Sequence, residues 1–309
     1  MRYFRIGGRW AAQAATALLA GGLSVRLTIG DSIPGIAAIY YATPWAVLAS
    51  MGVFPTVLWA WRRRWLPMLG FLLVSAACSF AWVRTSFHSA PKETGATFRV
   101  AYWNVGRPAS NLGEVLDAIV GTKADVFGLG ETNRYGGSLI PRPEWGQRQP
   151  DKHVLALRRH MLLVSNAAAT QLHDGFLNDR GQYALTETEI AGRKVFVLMA
   201  DFDAIVSWSR KPAFDRLIEI IDSVGDEPLI VMGDFNTPSD STFFLPLRKR
   251  LRDVFETAGH GYAHTWPMPL PVLDLDHIWV SHHFRVVESE HLTSLLSDHR
   301  AVVAGLAFQ

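Results

Sequence analysis

Residues 229–238 read LIVMGDFNTP. The apolar run Leu229–Gly233 is short and rich in branched side chains, which predicts a buried strand. Met232–Pro238 (MGDFNTP) then sets Asp234 and Asn236 directly beyond its end. The same arrangement recurs on both sides. Tyr102–Val105 (YWNV) places Asn104 near the end of a strand predicted over Phe98–Val105. Gly128–Thr132 (GLGET) places Glu131 just after one over Asp125–Leu129. Leu273–Ser281 (LDLDHIWVS) puts Asp276 and His277 at the head of a strand over His277–Ser281, and Ser297–Arg300 (SDHR) puts Asp298 and His299 just before one over Ala301–Ala307. Further strands are predicted over Met161–Ser165, Tyr183–Ile190, Lys194–Asp201 and Arg285–Glu288, and helical periodicity falls at Asn111–Val120, Pro212–Ser223 and Phe243–Thr257. This half of the chain therefore reads as a strand-rich α/β domain. The Pro- and Gly-containing span Arg134–Lys152 reads as one long loop.

Polar groups at strand ends meet at one mouth of a layered fold. Glu131, Asp234 and Asp298 are hard oxygen ligands that suit Mg²⁺ or Mn²⁺, ions commonly held by one or two carboxylates plus substrate phosphate. His299 beside Asp298 is a candidate acid, base or transition-state donor. Each motif alone is also good turn or capping chemistry. Their joint occurrence, each at a strand end, favours a catalytic site.

The N-terminal part is of a different kind. Of 309 residues, the first 90 hold eight arginines, no lysine and one acid, Asp31, leaving 22 of the 30 basic and 27 of the 28 acidic side chains to the remainder. The remainder is thus net acidic, which weakens any reading in which it grips nucleic acid by bulk charge. Three apolar stretches predict membrane spans over about 10–29 (with Arg26 snorkelling to the interface), 36–61 and 65–83. Pro44 and Pro55 would kink the second. Arg2, Arg5, Arg9 and Arg62–Arg64 fall on one side and Arg26 and Arg84 on the other, which places the N-terminus in the cytoplasm and everything after Arg84 outside. A cleaved signal peptide is the alternative for the first stretch. The expected organisation is a three-span transmembrane region over 1–85, a linker over 86–97 and a catalytic domain over 98–309. The lone Cys78 excludes an internal disulfide framework.

The ordered set YWNV, GLGET, MGDFNTPSDS, LDHIWVS and SDHRAV resembles the endonuclease/exonuclease/phosphatase superfamily over about Phe98–Phe308, and the three-span N-terminus resembles bacterial membrane-anchored members. The resemblance implies a four-layer sandwich of two mixed β-sheets flanked by helices. It implies that Glu131 ligates Mg²⁺, with Asp298 a further ligand or supporting acid, and that Asn104 orders metal and phosphate. It further implies that Asp234, itself able to contribute to the metal, orients or deprotonates the attacking water, that Asn236 bonds the scissile phosphate, and that His299 stabilises the transition state with Asp276 fixing its tautomer. Thr265 and Trp266 match a family strand that supports the site. The activity implied is metal-dependent phosphodiester hydrolysis of nucleic acid. The alternatives are a phospholipid or other small phosphate ester, and a degenerate protein that binds a phosphorylated ligand without turnover. The other partner expected is the lipid bilayer, and no protein partner is evident.

Two positions depart from the family pattern. Asp201, or Asp203 by a small shift, stands where family nucleases carry a histidine, and Gly130 stands where glutamine is common. Asp201 is expected beside the metal. His277 is expected to be a packed ring, and His260, His264, His282, His283 and His291 to be surface residues. The adjacent pair His282–His283 lacks a third metal ligand at helical or strand spacing.

Overall fold

The computed structural model describes residues 2–90, 94–106, 112–132 and 151–309, so most of the loop expected over Arg134–Lys152 lies outside the described residues. The chain forms two compact units, Met1–Phe87 with Ile205–Ser209, and His88–Ala204 with Arg210–Gln309.

The first unit is helical, with helices Arg2–Ser24, Ala37–Ala42, Trp45–Trp61 and Trp65–Ser86, and a π-helical turn, Val25–Ile29, extending the first. Among the described residues, two stretches are long and apolar enough to cross a membrane, Trp10–Ile29 with 20 residues and Trp65–Ser86 with 22. The second expected span, over 36–61, is not one helix. It breaks at Thr43, which lies at φ −122° and ψ 56°, because the ring of Pro44 disfavours the helical conformation of the residue before it. The 17 residues of Trp45–Trp61 reach only about 25 Å, against roughly 30 Å of hydrocarbon. The break also corrects the reading of Arg26. Rather than snorkelling outward, its guanidinium donates to the Tyr40 and Thr43 carbonyls left at the break, at 3.0 and 3.1 Å, and lies over the Tyr40 ring. Gly52 lets the helices Trp45–Trp61 and Trp65–Ser86 approach closely, since a Cβ there would sit 3.0 Å from that of Ser75, whose hydroxyl donates to the Ala49 carbonyl at 2.6 Å. Large apolar side chains such as Leu66, Leu73 and Phe80 face outward.

The second unit is an α/β fold of two six-stranded mixed sheets. One runs Arg252–Asp253, Asp276–Val280, Leu229–Asp234, Arg193–Asp201, Gln182–Ile190, Thr170–Phe176. The other runs Phe284–Leu292, Ala301–Phe308, Phe98–Asn104, Val126–Gly130, Leu162–Ser165, His153–Ala156. Tyr102, Met199, Met232, Ile278 and Val302 from the two sheets meet in a shared core. Helix Lys211–Val224 buries Phe214, Leu217 and Ile221 on the outer face of the first sheet. Helix Leu112–Gly121 buries Val115 and Ile119 on the outer face of the second.

The expected helix over Phe243–Thr257 is instead broken into a 3₁₀ turn, Thr242–Phe244, and two short helices, Leu245–Arg248 and Val254–Ala258. Arg252–Asp253 leaves the helical path to pair with Trp279–Val280, and Asp253 then starts a new helix by accepting the Phe255 and Glu256 N–H groups. Thr265 and Trp266 are not in a strand; Trp266 makes one isolated bridge to Leu273. His291, expected at the surface, is buried and stacks on Phe255 at 4.0 Å between ring centres.

Candidate active site

Topology brings the motif residues together. Each sheet contains one parallel pair, Phe98–Asn104 beside Val126–Gly130 and Arg193–Asp201 beside Leu229–Asp234. The carboxyl ends of these four strands carry Asn104, Glu131, Asp201 and Asp234. The antiparallel strand Asp276–Val280 adds its amino end, with Asp276 opposite Asp234. Asp201 is opposite Asp234 on the other side. Three carboxylates thus stand in register across three neighbouring strands, two of them fully buried.

Asn104 ties the two sheets at this mouth. Its Oδ1 accepts the Gly106 N–H at 2.9 Å, which turns Nδ2 toward the carboxylates, where it donates to Asp234 Oδ2 at 2.9 Å and to Glu131 Oε1 at 3.3 Å. Gly106 is required here, because a Cβ would lie 2.2 Å from Glu131 Oε2. Glu131 and Asn236 both adopt left-handed backbone, φ 53° and 45°, which non-glycine residues rarely do and which concentrates at functional sites. Asn236 is fixed by its N–H to Asp234 Oδ1 at 2.9 Å and by its amide to the Phe202 carbonyl at 2.8 Å.

His299 Nδ1 lies 2.8 Å from Asp276 Oδ2, which leaves Nε2 on the Asp234 side, 4.0 Å from Oδ2. Burial alone would lower its pKa, but the Asp276 charge and hydrogen bond, with Asp234 and Asp298, outweigh that and hold it well above the ordinary imidazole range. Burial raises the Asp234 carboxyl, and the Asp276 and Asp201 charges raise it further against the opposing pull of His299. Asp298 accepts the Trp266 indole N–H at 3.3 Å.

Several supporting residues escaped the sequence reading. Ser297 Oγ donates to the Asn104 carbonyl at 2.7 Å and accepts the His299 N–H at 3.0 Å; a serine two residues ahead of a functional group is a turn signal that could have exposed it. The Trp103 indole donates to the His299 carbonyl at 3.0 Å. Thr265, which the sequence reading did name, accepts the Leu275 and Asp276 N–H groups at Oγ1. Tyr102 lies beneath the mouth, its hydroxyl held protonated by burial and by the charges of Asp234, Asp276, Asp201 and Glu131. Its hydroxyl oxygen is 2.5 Å from where a Cβ at Gly130 would lie, so glycine at that position makes room for this ring. His277 stays outside the mouth, packed against Phe244 with Nδ1 3.1 Å from Asp253. Asp203 is buried, and its carbonyl accepts from Arg210.

The residues fit a divalent cation. Asp234, Asp276 and His299 offer ligand atoms within 4.8 Å of one another, Glu131 joins through Asn104, and Asp276 Oδ1 is buried without a hydrogen-bond partner among the described residues. Negative charge outweighs the single imidazole, which is the imbalance a bound cation relieves.

The profile of the Endonuclease/Exonuclease/phosphatase family matches residues 101–299, and the chain belongs to this family of phosphoesterase hydrolases. Among solved structures, a family member from Bacteroides thetaiotaomicron superposes with TM-score 0.56 at 16% identity, covering 69% of this chain and 98% of that one. The human Nocturnin catalytic domain with bound sulfate gives 0.53 at 18%, covering 69% and 93%. A mannosyl-6-phosphatase from Bacteroides thetaiotaomicron gives 0.54 at 15%, covering 69% and 100%. No curated protein matches the sequence.

Proposed function

We propose that the chain is a membrane-anchored phosphodiesterase of the bacterial type that uses Mg²⁺, or Mn²⁺ in its place. The observation that carries this reading is the row Asp201–Asp234–Asp276 closed by His299 and joined to Glu131 through Asn104. Glu131 and Asp234, supported by Asp298, would hold the metal, which would supply neutralisation of the phosphate charge. Asp234 orients and deprotonates the attacking water. Asn236, locked by Phe202, holds the phosphate in line. His299, kept protonated by Asp276, donates to the phosphoryl oxygen as charge develops there. Asn104 keeps the Glu131 and Asp234 carboxylates together.

For anchoring, the two apolar helices Trp10–Ile29 and Trp65–Ser86 cross the bilayer, and Trp45–Trp61 makes a third crossing if local thinning of the bilayer takes up its shortfall of about 5 Å, which puts the catalytic domain outside the cytoplasmic membrane. The substrate is a phosphodiester of nucleic acid or of a phospholipid. The acidic balance of the domain and the carboxylate Asp201 at the mouth favour the smaller or lipid ester over a long polyanion. The test is the full chain in detergent with Mg²⁺ or Mn²⁺ against DNA, RNA, phospholipid vesicles and an aryl phosphodiester. Hydrolysis abolished by EDTA supports the reading, and its absence on all four substrates refutes it.

A further inference from the structure

His282 and His283 stand in a turn closed by the Phe284 N–H donating to the Ser281 carbonyl at 3.1 Å. In a strand, consecutive side chains point to opposite faces. The two central residues of this turn instead project together, their ring centres 4.2 Å apart. The ligand that the sequence does not place beside them comes from elsewhere in the chain. Gly225, at φ 75°, ends helix Lys211–Val224 and turns the backbone so that Asp226 meets the histidine turn. Asp226 Oδ1 lies 3.4 Å from His282 Nε2 and 3.7 Å from His283 Nε2. All three ligand atoms are within 4.8 Å of one another.

These separations suit one ion. Around a tetrahedral zinc with bonds of about 2.0–2.2 Å, neighbouring ligand atoms lie roughly 3.3–3.6 Å apart. The orientation of His283 suits it too. Ser281 Oγ accepts the Leu229 N–H at 3.1 Å, faces the Glu227 carbonyl at 3.5 Å and lies 3.2 Å from His283 Nδ1. With its own proton on Glu227, the hydroxyl accepts Nδ1–H, and the Nε2 lone pair is left facing the carboxylate. That is how metal-binding histidines are commonly set by a neighbour on the other nitrogen. Two lone-pair donors facing each other call for a cation between them.

We propose that Asp226, His282 and His283 form a surface site for a transition dication of the Zn²⁺ class, with solvent completing the coordination. Two imidazoles and one carboxylate select zinc over magnesium. The site is separate from the catalytic mouth. Asp276 begins the strand whose far end leads into this turn, and six residues at about 3.3 Å each put His282 roughly 20 Å away.

The test is Zn²⁺ binding by equilibrium dialysis on the full chain in detergent, carrying a histidine-free affinity tag, with Mg²⁺ present in excess. Co²⁺ absorption provides a second readout. The expected result is one bound equivalent that His282→Ala and Asp226→Asn each lose. Ser281→Ala should retain it with affinity weakened about 10-fold, as for the loss of an orienting partner. Zn²⁺ should raise the melting temperature of the parent and not of His282→Ala, while Mg²⁺-dependent hydrolysis stays equal in the two. Equal zinc stoichiometry and affinity in the parent and both ligand variants would overturn the proposal. This readout does not depend on turnover, so its failure is distinct from failure of the phosphodiesterase reading.

Discussion

Gly106→Ala isolates the geometry of Glu131, the carboxylate proposed to hold the metal. The new Cβ would lie 2.2 Å from Glu131 Oε2, 2.8 Å from its Cδ and 3.0 Å from Asn104 Oδ1, whereas ordinary contact begins at 3.4 Å. The nearest oxygen must therefore retreat by about 1.2 Å. It is the tip of a side chain, so the fold gives way at little cost, and the melting temperature should move by no more than a few degrees. A displacement of about 1 Å in a positioning group costs roughly 10²-fold in rate, or about 2.7 kcal/mol of transition-state stabilisation. Steady-state hydrolysis of a chromogenic phosphodiester over a Mg²⁺ titration should show kcat reduced by about that factor and the metal half-saturation raised. A kcat within about threefold of the parent at saturating Mg²⁺ would show that the position of Glu131 does not matter to the chemistry, and the assigned site would be wrong.

Three further outcomes are expected. His277 holds its proton to about pH 9, because the charges of Asp274 and Asp253 override the opposing effect of burial, and burial raises Asp274 to about 7. Both values lie above the unfolded ones, so both contributions are complete at low pH and are lost as pH rises, that of Asp274 by about 7 and that of His277 through about 9. Thermal unfolding should therefore show stability falling between pH 7 and 9.5 by on the order of 3 kcal/mol, and His277→Asn should flatten that slope. Asp201→His should lower metal affinity and raise activity on DNA relative to the aryl diester, whereas no change in either would remove Asp201 from the site. Reporter fusions after Gly35 and Thr97 should read outside and one at Arg63 cytoplasmic; a cytoplasmic Thr97 fusion would mean that Trp45–Trp61 does not cross.

The central strands were legible because burial on both faces makes them short apolar runs, as in Leu229–Asp234 and Phe98–Asn104. Thr170–Phe176 was not, because it is a largely exposed edge strand with no apolar alternation. The helical pattern over 243–257 misled because tertiary pairing of Arg252–Asp253 overrides local periodicity. The run over 36–61 misled because Pro44 ends the helix outright where only a kink was expected, while Pro55 stays within Trp45–Trp61. The polar residues at strand ends could be named from motif order. What holds them could not, since Ser297, Trp103 and Tyr102 act through space on residues up to 196 positions away. Asp226 completing the His282–His283 pair is likewise a product of the fold.

The most direct test of phosphoester hydrolysis at this mouth is Asp234→Asn in the full chain, assayed beside the parent with saturating Mg²⁺ on a chromogenic phosphodiester. The substitution keeps size and shape while removing the charge and the base that Asn104, Asn236 and His299 surround. The account predicts a melting temperature within a few degrees of the parent, because relief of a repelling buried carboxylate offsets the loss of one of the two hydrogen bonds that Asp234 accepts, and turnover reduced by at least about 10³-fold. A folded Asp234→Asn protein that retains turnover near the parent level would contradict it.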